Sequence, residues 1–380
     1  MSDCGWKALA SSISATARIR TPAMGSTTRT QIAFLTGDQG STTVTKDMIS
    51  GTVYISNSMF AGFYSQGWVV ENAGNGTKDS VFKNNDASTV GTPGVGNSGI
   101  FVNLDGSSGG APSLNLLIES TNFTNIDLDG VVVIADPGTT SNVTVRGGTF
   151  TNPNGDNAIQ VSSGSRDGDD VETTNVLIEN VNVTAQRGNI LQLTTGAGTY
   201  NATVSGGTFN SGVTSGLAAD YISRGIDVNI DADHDPSIGI TGDAINARIK
   251  VDGVNFQNIG VDGIRVNTNE IAPSSTVDLI ITNNTFGTNA APVGRSGTGE
   301  GIEIIASNTT MNLLVSGNTI VTNGASGTSE SIDIDAEGAS GATVNATVLN
   351  NSMNNIANGA TPPGGNNIDV NTESPTRNSS

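Results

Sequence analysis

The residues of this chain that could do chemistry are carboxylates placed at alternate positions in short aliphatic runs. Asp333 and Asp335 alternate with isoleucines, and Asp227 stands in a similar run of Ile, Asp, Val and Asn. Because alternate residues of a β-strand point to the same face, Asp333 and Asp335 would lie side by side. Two carboxyl groups that close can act as acid and base in glycoside hydrolysis. Asp227, Asp333 and Asp335 are therefore the candidate catalytic residues.

A second acidic group follows Asp227 and could bind a cation. Asp231, Asp233 and Asp235 set three carboxylates at alternate positions, next to His234. Oxygen ligands at this density suit Ca²⁺, but the run lacks the Gly at position 6 and the Glu at position 12 of an EF-hand loop. A Ca²⁺ site and a plain acidic loop both remain open, and no other cofactor is expected.

These carboxylates belong to a chain that repeats one pattern from residue 52 almost to its end. Each copy has an alternating run ending in an apolar anchor, a turn residue two positions later, and a second anchor three positions after that. The copies are Ile55-Asn57-Phe60, Phe82-Asn84-Ala87, Ile118-Ser120-Phe123, Val145-Gly147-Phe150, Ile178-Asn180-Val183, Val204-Gly206-Phe209, Val251-Gly253-Phe256, Ile281-Asn283-Phe286, Val315-Gly317-Ile320 and Val348-Asn350-Met353. The turn residue is Gly or Asn in nine of ten copies, and both tolerate positive φ. The pattern predicts two short strands with inward anchors, joined by a left-handed corner.

A second alternating strand precedes most copies, at intervals of 27 to 38 residues. Self-similarity at this spacing indicates a solenoid, and the two-residue period favours strands over helices. Coils stacked about 4.8 Å apart would align the outward residues in columns. The first column is Gln160, Gln192, Asp227, Arg265, Glu303, Asp333 and Asp369, and the second is Ser162, Thr194, Asn229, Asn267, Ile305, Asp335 and Asn371. Within them, the predicted ligand-binding face is Asp227, Asn229, Arg265, Asn267, Glu303, Asp333 and Asp369.

The stacked anchors and the corner column resemble those of right-handed parallel β-helix proteins. This pectate-lyase-like group includes polygalacturonases, phage tailspikes and autotransporter passengers. The resemblance covers roughly residues 50–371 and implies an all-β, single-stranded right-handed parallel β-helix, a solenoid of about ten coils. Residues 1–49 are expected to form an irregular segment or cap, with Ile32 to Leu35 opening a first strand, and residues 372–380 a disordered tail. The last run, Asn366 to Asn371, begins an unfinished coil, so we expect a segment of a longer protein or an irregular cap at Thr361 to Gly365.

The motifs of the β-helical enzymes are mostly missing. Polygalacturonases carry Asn-Thr-Asp, Asp-Asp, Gly-His-Gly and Arg-Ile-Lys in that order. This chain has Asp169-Asp170 and Arg248-Ile249-Lys250, but neither Asn-Thr-Asp nor Gly-His-Gly. Pectate lyases need a basic arginine, and here only Arg265 stands on the acidic face, without their Arg-x-Pro-x-x-Arg segment. The sequence therefore shows no clear catalytic motif.

Charge and hydropathy exclude several classes of partner. The net charge is −19 and the sequence pI about 4.1, which disfavours nucleic acid and anionic membrane surfaces. No run of about 18 apolar residues exists, so no membrane insertion is expected in this segment. The first residues also lack the apolar stretch of an intact signal peptide. Cys4 is the single cysteine and can form no internal disulfide.

These observations favour an extracellular or cell-surface module of adhesin type. It would be structural or would contact a polysaccharide or host-surface ligand, as a monomer or a trimer. One alternative is a polysaccharide lyase or glycoside hydrolase that acts on an acidic polysaccharide through carboxylates on the Asp227–Asp333 face. Another is a tailspike-like receptor-binding protein. The non-functional interpretation of the columns is a solvated polar face that keeps sheets from associating.

Overall fold

The computed structural model describes the strands and corners of the chain and part of its loops. The described residues are 32–36, 51–61, 67–72, 76–88, 98–106, 111–126, 128–136, 138–152, 156–164, 172–186, 188–212, 223–231, 244–269, 274–288, 293, 299–323, 330–337, 342–356 and 367–372. Within them no helix is long and apolar enough to cross a membrane. Asp233, His234 and Asp235 of the predicted Ca²⁺ group lie outside these residues.

The described strands form three parallel sheets, each built from every third strand of the chain. Sheet A contains β1 (Ile32–Thr36), β4 (Trp68–Asn72), β7 (Ile100–Leu104), β10 (Val131–Ala135), β13 (Ile159–Ser163), β16 (Leu191–Thr195), β19 (Ile226–Asp231), β22 (Ile264–Asn269), β25 (Ile302–Ser307), β28 (Ile332–Glu337) and β31 (Ile368–Thr372). Sheet B contains β2 (Gly51–Ser56), β5 (Thr77–Lys83), β8 (Ser113–Glu119), β11 (Thr140–Arg146), β14 (Thr173–Glu179), β17 (Gly198–Ser205), β20 (Ile245–Asp252), β23 (Thr276–Thr282), β26 (Thr310–Ser316) and β29 (Thr343–Leu349). Sheet C contains β3 (Met59–Ala61), β6 (Asp86–Ser88), β9 (Asn122–Thr124), β12 (Thr149–Asn152), β15 (Asn182–Gln186), β18 (Thr208–Asn210), β21 (Asn255–Gln257), β24 (Thr285–Phe286), β27 (Thr319–Asn323) and β30 (Ser352–Ile356).

The chain therefore winds through sheets A, B and C in turn and returns to sheet A one level further along. This is the predicted single-stranded right-handed parallel β-helix, with three strands in each coil. The expected opening strand is also present, because β1 pairs in parallel with β4.

The corner between sheets B and C is left-handed at all ten predicted positions. Asn57, Asn84, Ser120, Asn180, Asn283 and Asn350 have φ between 49° and 56°, and Gly147, Gly206, Gly253 and Gly317 have φ between 62° and 70°. Ser120, the one copy with neither Gly nor Asn, takes the same conformation because the strands on both sides are fixed by pairing. The spacing of turn residues thus predicted a backbone feature correctly.

An internal stack of asparagines supports the later corners. Asn284 and Asn318 are each 1% exposed. Asn318 Oδ1 accepts the backbone N–H of Asn284 at 2.9 Å, and Asn318 Nδ2 donates to the carbonyl of Ile281 at 3.0 Å. Asn351 repeats these bonds one coil further on. Buried backbone groups at the corner are in this way hydrogen-bonded.

The interior is filled by the predicted anchors, which stack in columns along the solenoid. Phe123 stacks on Phe150 with ring centroids 4.6 Å apart, and Phe256 stacks on Phe286 at 4.7 Å. Each buried side chain of this size contributes on the order of 1.5–3 kcal/mol. The stacking therefore stabilises neighbouring coils together.

The sheet C anchors also dictate how the chain enters sheet A. A Cβ on Gly263 would lie 2.5 Å from Cδ1 of Phe286, and one on Gly225 would lie 2.5 Å from Cδ1 of Phe256. Glycine is required there because the ring occupies the space of a side chain. The residue before each glycine consequently sits at the corner, beside the outward face of sheet A.

Candidate functional site

A charged corner column borders sheet A at the entry of successive coils. It consists of Arg224, Asp262, Glu300 and Glu330, each one residue before the glycine or serine that opens a coil. The N–H groups of Gly225, Gly263 and Gly301 donate to the carbonyls of Asp262, Glu300 and Glu330 at 3.0, 3.0 and 3.1 Å. These backbone bonds stack the four side chains directly over one another.

Asp262 is the centre of this corner column and is 1% exposed. Its Oδ2 accepts a hydrogen bond from Nε of Arg224 at 2.8 Å, and its Oδ1 accepts the backbone N–H of Glu300 at 3.1 Å. Arg224 is itself held by its backbone N–H, which donates to Oδ1 of Asn189 at 3.2 Å. Burial of a carboxylate is costly unless it is paired, and these donors supply the pairing.

The predicted first outward column runs beside the corner column in the predicted register. Backbone pairing aligns Gln160, Gln192, Asp227, Arg265, Glu303, Asp333 and Asp369 in successive coils of sheet A. Arg265 Nε lies 2.9 Å from Oε2 of Glu303, an ion pair whose angle is not that of a hydrogen bond. Arg224 Nη1 lies 4.0 Å from Oδ2 of Asp227, which links the two columns.

Several carboxyl groups here have raised pKa values. Burial raises the pKa of Glu300, and a hydrogen bond between its carboxyl group and Asp262 raises it further. Burial likewise raises the pKa of Glu303, with Asp262 adding to the effect. The pKa of Asp333 is raised to about 6, mainly by burial and then by Asp335, and burial raises that of Asp227 against the opposing charge of Arg224. Burial thus favours the protonated form of each of these four carboxyl groups.

Three of these groups are close enough to act as a unit. Oxygen atoms of Asp262, Glu300 and Glu303 lie within 4.8 Å of one another, and among the described residues this is the set that could hold a cation. Arg224 is paired with Asp262 and Arg265 with Glu303, so a cation would have to compete with these two guanidinium groups for the carboxylates. The arrangement can therefore share a proton or a cation between neighbouring carboxyl oxygens.

The structure brings most of the predicted site residues together. Asp227, Arg265, Glu303, Asp333 and Asp369 share the first column. Asn229, Asn267 and Asp335 share the second column with Asn371. Asp231 ends β19, so its carboxylate is the one member of the predicted Ca²⁺ group whose position is described.

Sequence reasoning missed the corner column. Arg224, Asp262 and Glu300 lie outside the alternating runs, in segments of irregular length, and no spacing marks them. One available signal was the charged residue directly before each opening glycine, in Arg224-Gly225, Asp262-Gly263 and Glu300-Gly301. This signal can be recognised only when coils of unequal length are aligned with one another, and the pairing of the strands provides that alignment.

No family model, curated protein or solved structure matches this chain. The site is therefore interpreted from its own geometry.

Proposed function

We propose that this protein is an extracellular β-helical surface module that binds a polysaccharide or a cell-surface glycan along the outward face of sheet A. The observation that carries the proposal is the first outward column, in which seven polar side chains follow one another in register. Neighbouring strands lie about 4.8 Å apart, so the column presents hydrogen-bonding groups at a short, constant interval. A polymer of repeating sugar units offers hydroxyl groups in a comparable linear series.

The chemistry of the face suits sugar hydroxyls. Gln160, Gln192 and Arg265 supply N–H donors, and the carboxylates supply acceptors. The ion pairs of Arg265 with Glu303 and of Arg224 with Asp262 hold these groups in fixed positions. Groups fixed before binding lose less entropy when the ligand arrives. The same ion pairs engage two of the carboxylates with arginines, which supports contact without turnover.

A second candidate function is hydrolysis of a glycosidic bond. The observation that favours it is the proximity of the carboxyl groups of Asp262, Glu300 and Glu303, whose oxygen atoms lie within 4.8 Å of one another. A protonated carboxyl group can donate a proton to a leaving group while a neighbouring carboxylate acts as base or nucleophile. This is the lyase or hydrolase alternative predicted from the sequence, with Glu300 and Asp262 added to the candidate residues Asp227 and Asp333.

The binding proposal is tested by calorimetry with polysaccharides selected on a glycan array. Replacement of Arg265 by Gln removes a charged donor from the face, and we expect affinity to fall about 10-fold or more, since a hydrogen bond to a charged group contributes roughly 1.5–3 kcal/mol. Arg248→Gln is the matched control, because Arg248 is exposed on sheet B, and it should bind like the unmodified protein.

The outcomes separate the two candidates. Equal losses in the Arg265 and Arg248 variants, or no binding to any glycan, would refute the binding proposal. Release of reducing ends from the bound polysaccharide without an unsaturated product, abolished in Glu300→Gln while the fold is kept, would instead establish hydrolysis, and an unsaturated product would identify a lyase.

A further inference from the structure

At the C-terminal end of the described solenoid, inward side chains are exposed. Among the described strands none pairs with the outer edge of β29, the last strand of sheet B. Ile368 and Val370 align with the buried Ile332 and Ile334 but are 42% and 59% exposed. Val344 and Val348 of β29, which align with the buried Met311 and Val315, are only partly buried.

At the opposite end, the corresponding inward side chains are buried. Val53 and Ile55 are the inward residues of β2, the first strand of sheet B, and they are only 7% and 9% exposed. Within the described residues, inward side chains are therefore exposed at the C-terminal end and buried at the other, and an assembly made through the C-terminal end closes after two copies.

The edge strand at this end, β29, carries within its own sequence none of the residues that usually prevent pairing. Residues 343–349 read Thr-Val-Asn-Ala-Thr-Val-Leu, without charge or proline. Natural edge strands commonly carry lysine, proline or a bulge to prevent association. An uncharged, exposed strand of seven residues is a template for a further strand.

The sequence of β29 is also self-complementary. Val344 and Val348 stand symmetrically about Ala346, and so do Asn345 and Thr347. In an antiparallel pair centred on Ala346, Val344 would face Val348 of the partner subunit, and Asn345 would face Thr347 of the partner subunit. Val344, Ala346 and Val348 align with the inward residues Met311, Leu313 and Val315, so the pairing would join two apolar interiors.

We propose that the C-terminal end of the solenoid is the contact surface of a two-fold symmetric dimer, formed by antiparallel pairing of β29 with β29 of a second copy. The contact continues the stacking by which each coil covers the next within the chain. Both partners use the same surface, as a two-fold interface requires. The last described strands supply seven, five and five residues, which approaches the roughly 20–30 residues a side of a standard interface.

The two-fold axis has a further consequence for the other two sheets. Rotation about an axis normal to sheet B exchanges the positions of sheets A and C, so β30 of one copy meets the β31 end of the other. Met353, which packs partly buried against the core, would thus be covered by Ile368 and Val370 of the partner subunit. The two Asp369 carboxylates would not stack on each other.

Sedimentation velocity of the 380-residue chain tests the proposal. We expect a dimer of two 38.5 kDa chains and a shift to monomer in Ala346→Lys, because two lysines would meet at the axis. Tyr54→Lys is the matched control, since Tyr54 is 58% exposed on β2 at the other end, and it should remain dimeric. Far-UV circular dichroism establishes that both variants are folded.

Three results would overturn the proposal. They are a monomeric unmodified chain, dissociation of the Tyr54→Lys control to the same extent, and species that grow beyond the dimer with concentration. The last would indicate head-to-tail stacking. If Ala346→Lys fails to fold, Val370→Lys takes its place, because this side chain is already 59% exposed.

Discussion

At the scale of single residues, Glu300 is the most informative side chain of the corner column. Its pKa is raised from the ordinary 4.5 by burial and by Asp262. The pKa values of Glu303 and Asp333 are raised as well. The folded protein therefore keeps protons on these groups at pH values where the unfolded chain has lost them.

This binding of protons predicts that stability falls as pH rises. The stabilising contribution of Glu300 is fully present below its unfolded pKa near 4.5 and is lost as pH rises toward the folded pKa, because the unfolded state then binds fewer protons. Glu300→Gln keeps a donor toward Asp262 but cannot ionise. Its melting temperature should therefore decline less than that of the unmodified protein between about pH 5 and about pH 8, the window in which the raised pKa of Glu300 acts.

The control for this series is Asp278→Asn on the exposed face of sheet B, which should keep the pH dependence of the unmodified protein. Thermal melts at fixed ionic strength measure all three proteins. If the melting temperatures of Glu300→Gln and the unmodified protein declined equally with pH, the carboxyl pair would not govern the pH dependence of stability.

Residues in the alternating runs were predictable, whereas the corner column was not. Asp227 and Asp333 follow from period two, which places every second side chain on one face. Asp262 gains its role from contact with Arg224, 38 residues earlier in the chain, across an insertion of arbitrary length. The charged residue before each opening glycine marks the position, but the pairing of Asp262 with Arg224 follows only from the stacked structure.

At the scale of elements, the corner between sheets B and C explains why the fold is readable from sequence. Positive φ is cheap for Gly and next cheapest for Asn, so the corner restricts composition in every coil. The lengths of the loops between coils face no such restriction. Strands and corners were therefore predictable, and the exact registers across insertions had to come from pairing.

Two glycines at positive φ predict opposite sensitivities to substitution. A Cβ on Gly148, with φ of 83°, would lie 2.1 Å from the carbonyl oxygen of Thr121, whereas one on Gly253 meets nothing closer than 4.0 Å. Gly148→Ala should lower the free energy of unfolding by about 2 kcal/mol or more, since strain adds to the φ penalty. Gly253→Asn should cost less than about 1 kcal/mol, because Asn283 already occupies the next corner in that conformation.

Urea denaturation compares the two glycine variants with the unmodified chain. Equal losses of unfolding free energy in the two variants would contradict the claim that a side chain is sterically excluded at Gly148 but tolerated at Gly253. A larger loss for Gly253→Asn would contradict it as well.

At the scale of the whole molecule, the solenoid separates its tasks by face. Sheet B carries an outward Asn series in which Nδ2 of Asn201 donates to Oδ1 of Asn175 at 3.0 Å and Nδ2 of Asn175 donates to Oδ1 of Asn142 at 2.9 Å. Sheet A instead concentrates charge beside the corner column. The interior and the asparagine stacks stabilise the coils, which leaves the face of sheet A available for contact with a ligand.

The net charge of −19 agrees with a molecule that works in contact with sugars and ions and not with phosphate backbones. Because charge repulsion is screened by salt, binding of a neutral glycan to sheet A should depend weakly on ionic strength. An acidic glycan would meet the carboxylates of the face, and its binding should strengthen as salt is added.

Hydrogen exchange of the protein with and without a bound glycan tests the central claim most directly. The account predicts slower exchange in β19, β22, β25 and β28 of sheet A, with β20, β23 and β26 of sheet B unchanged, since the ligand would lie across the first outward column. Protection confined to sheet B or to sheet C, with sheet A unaffected, would contradict it.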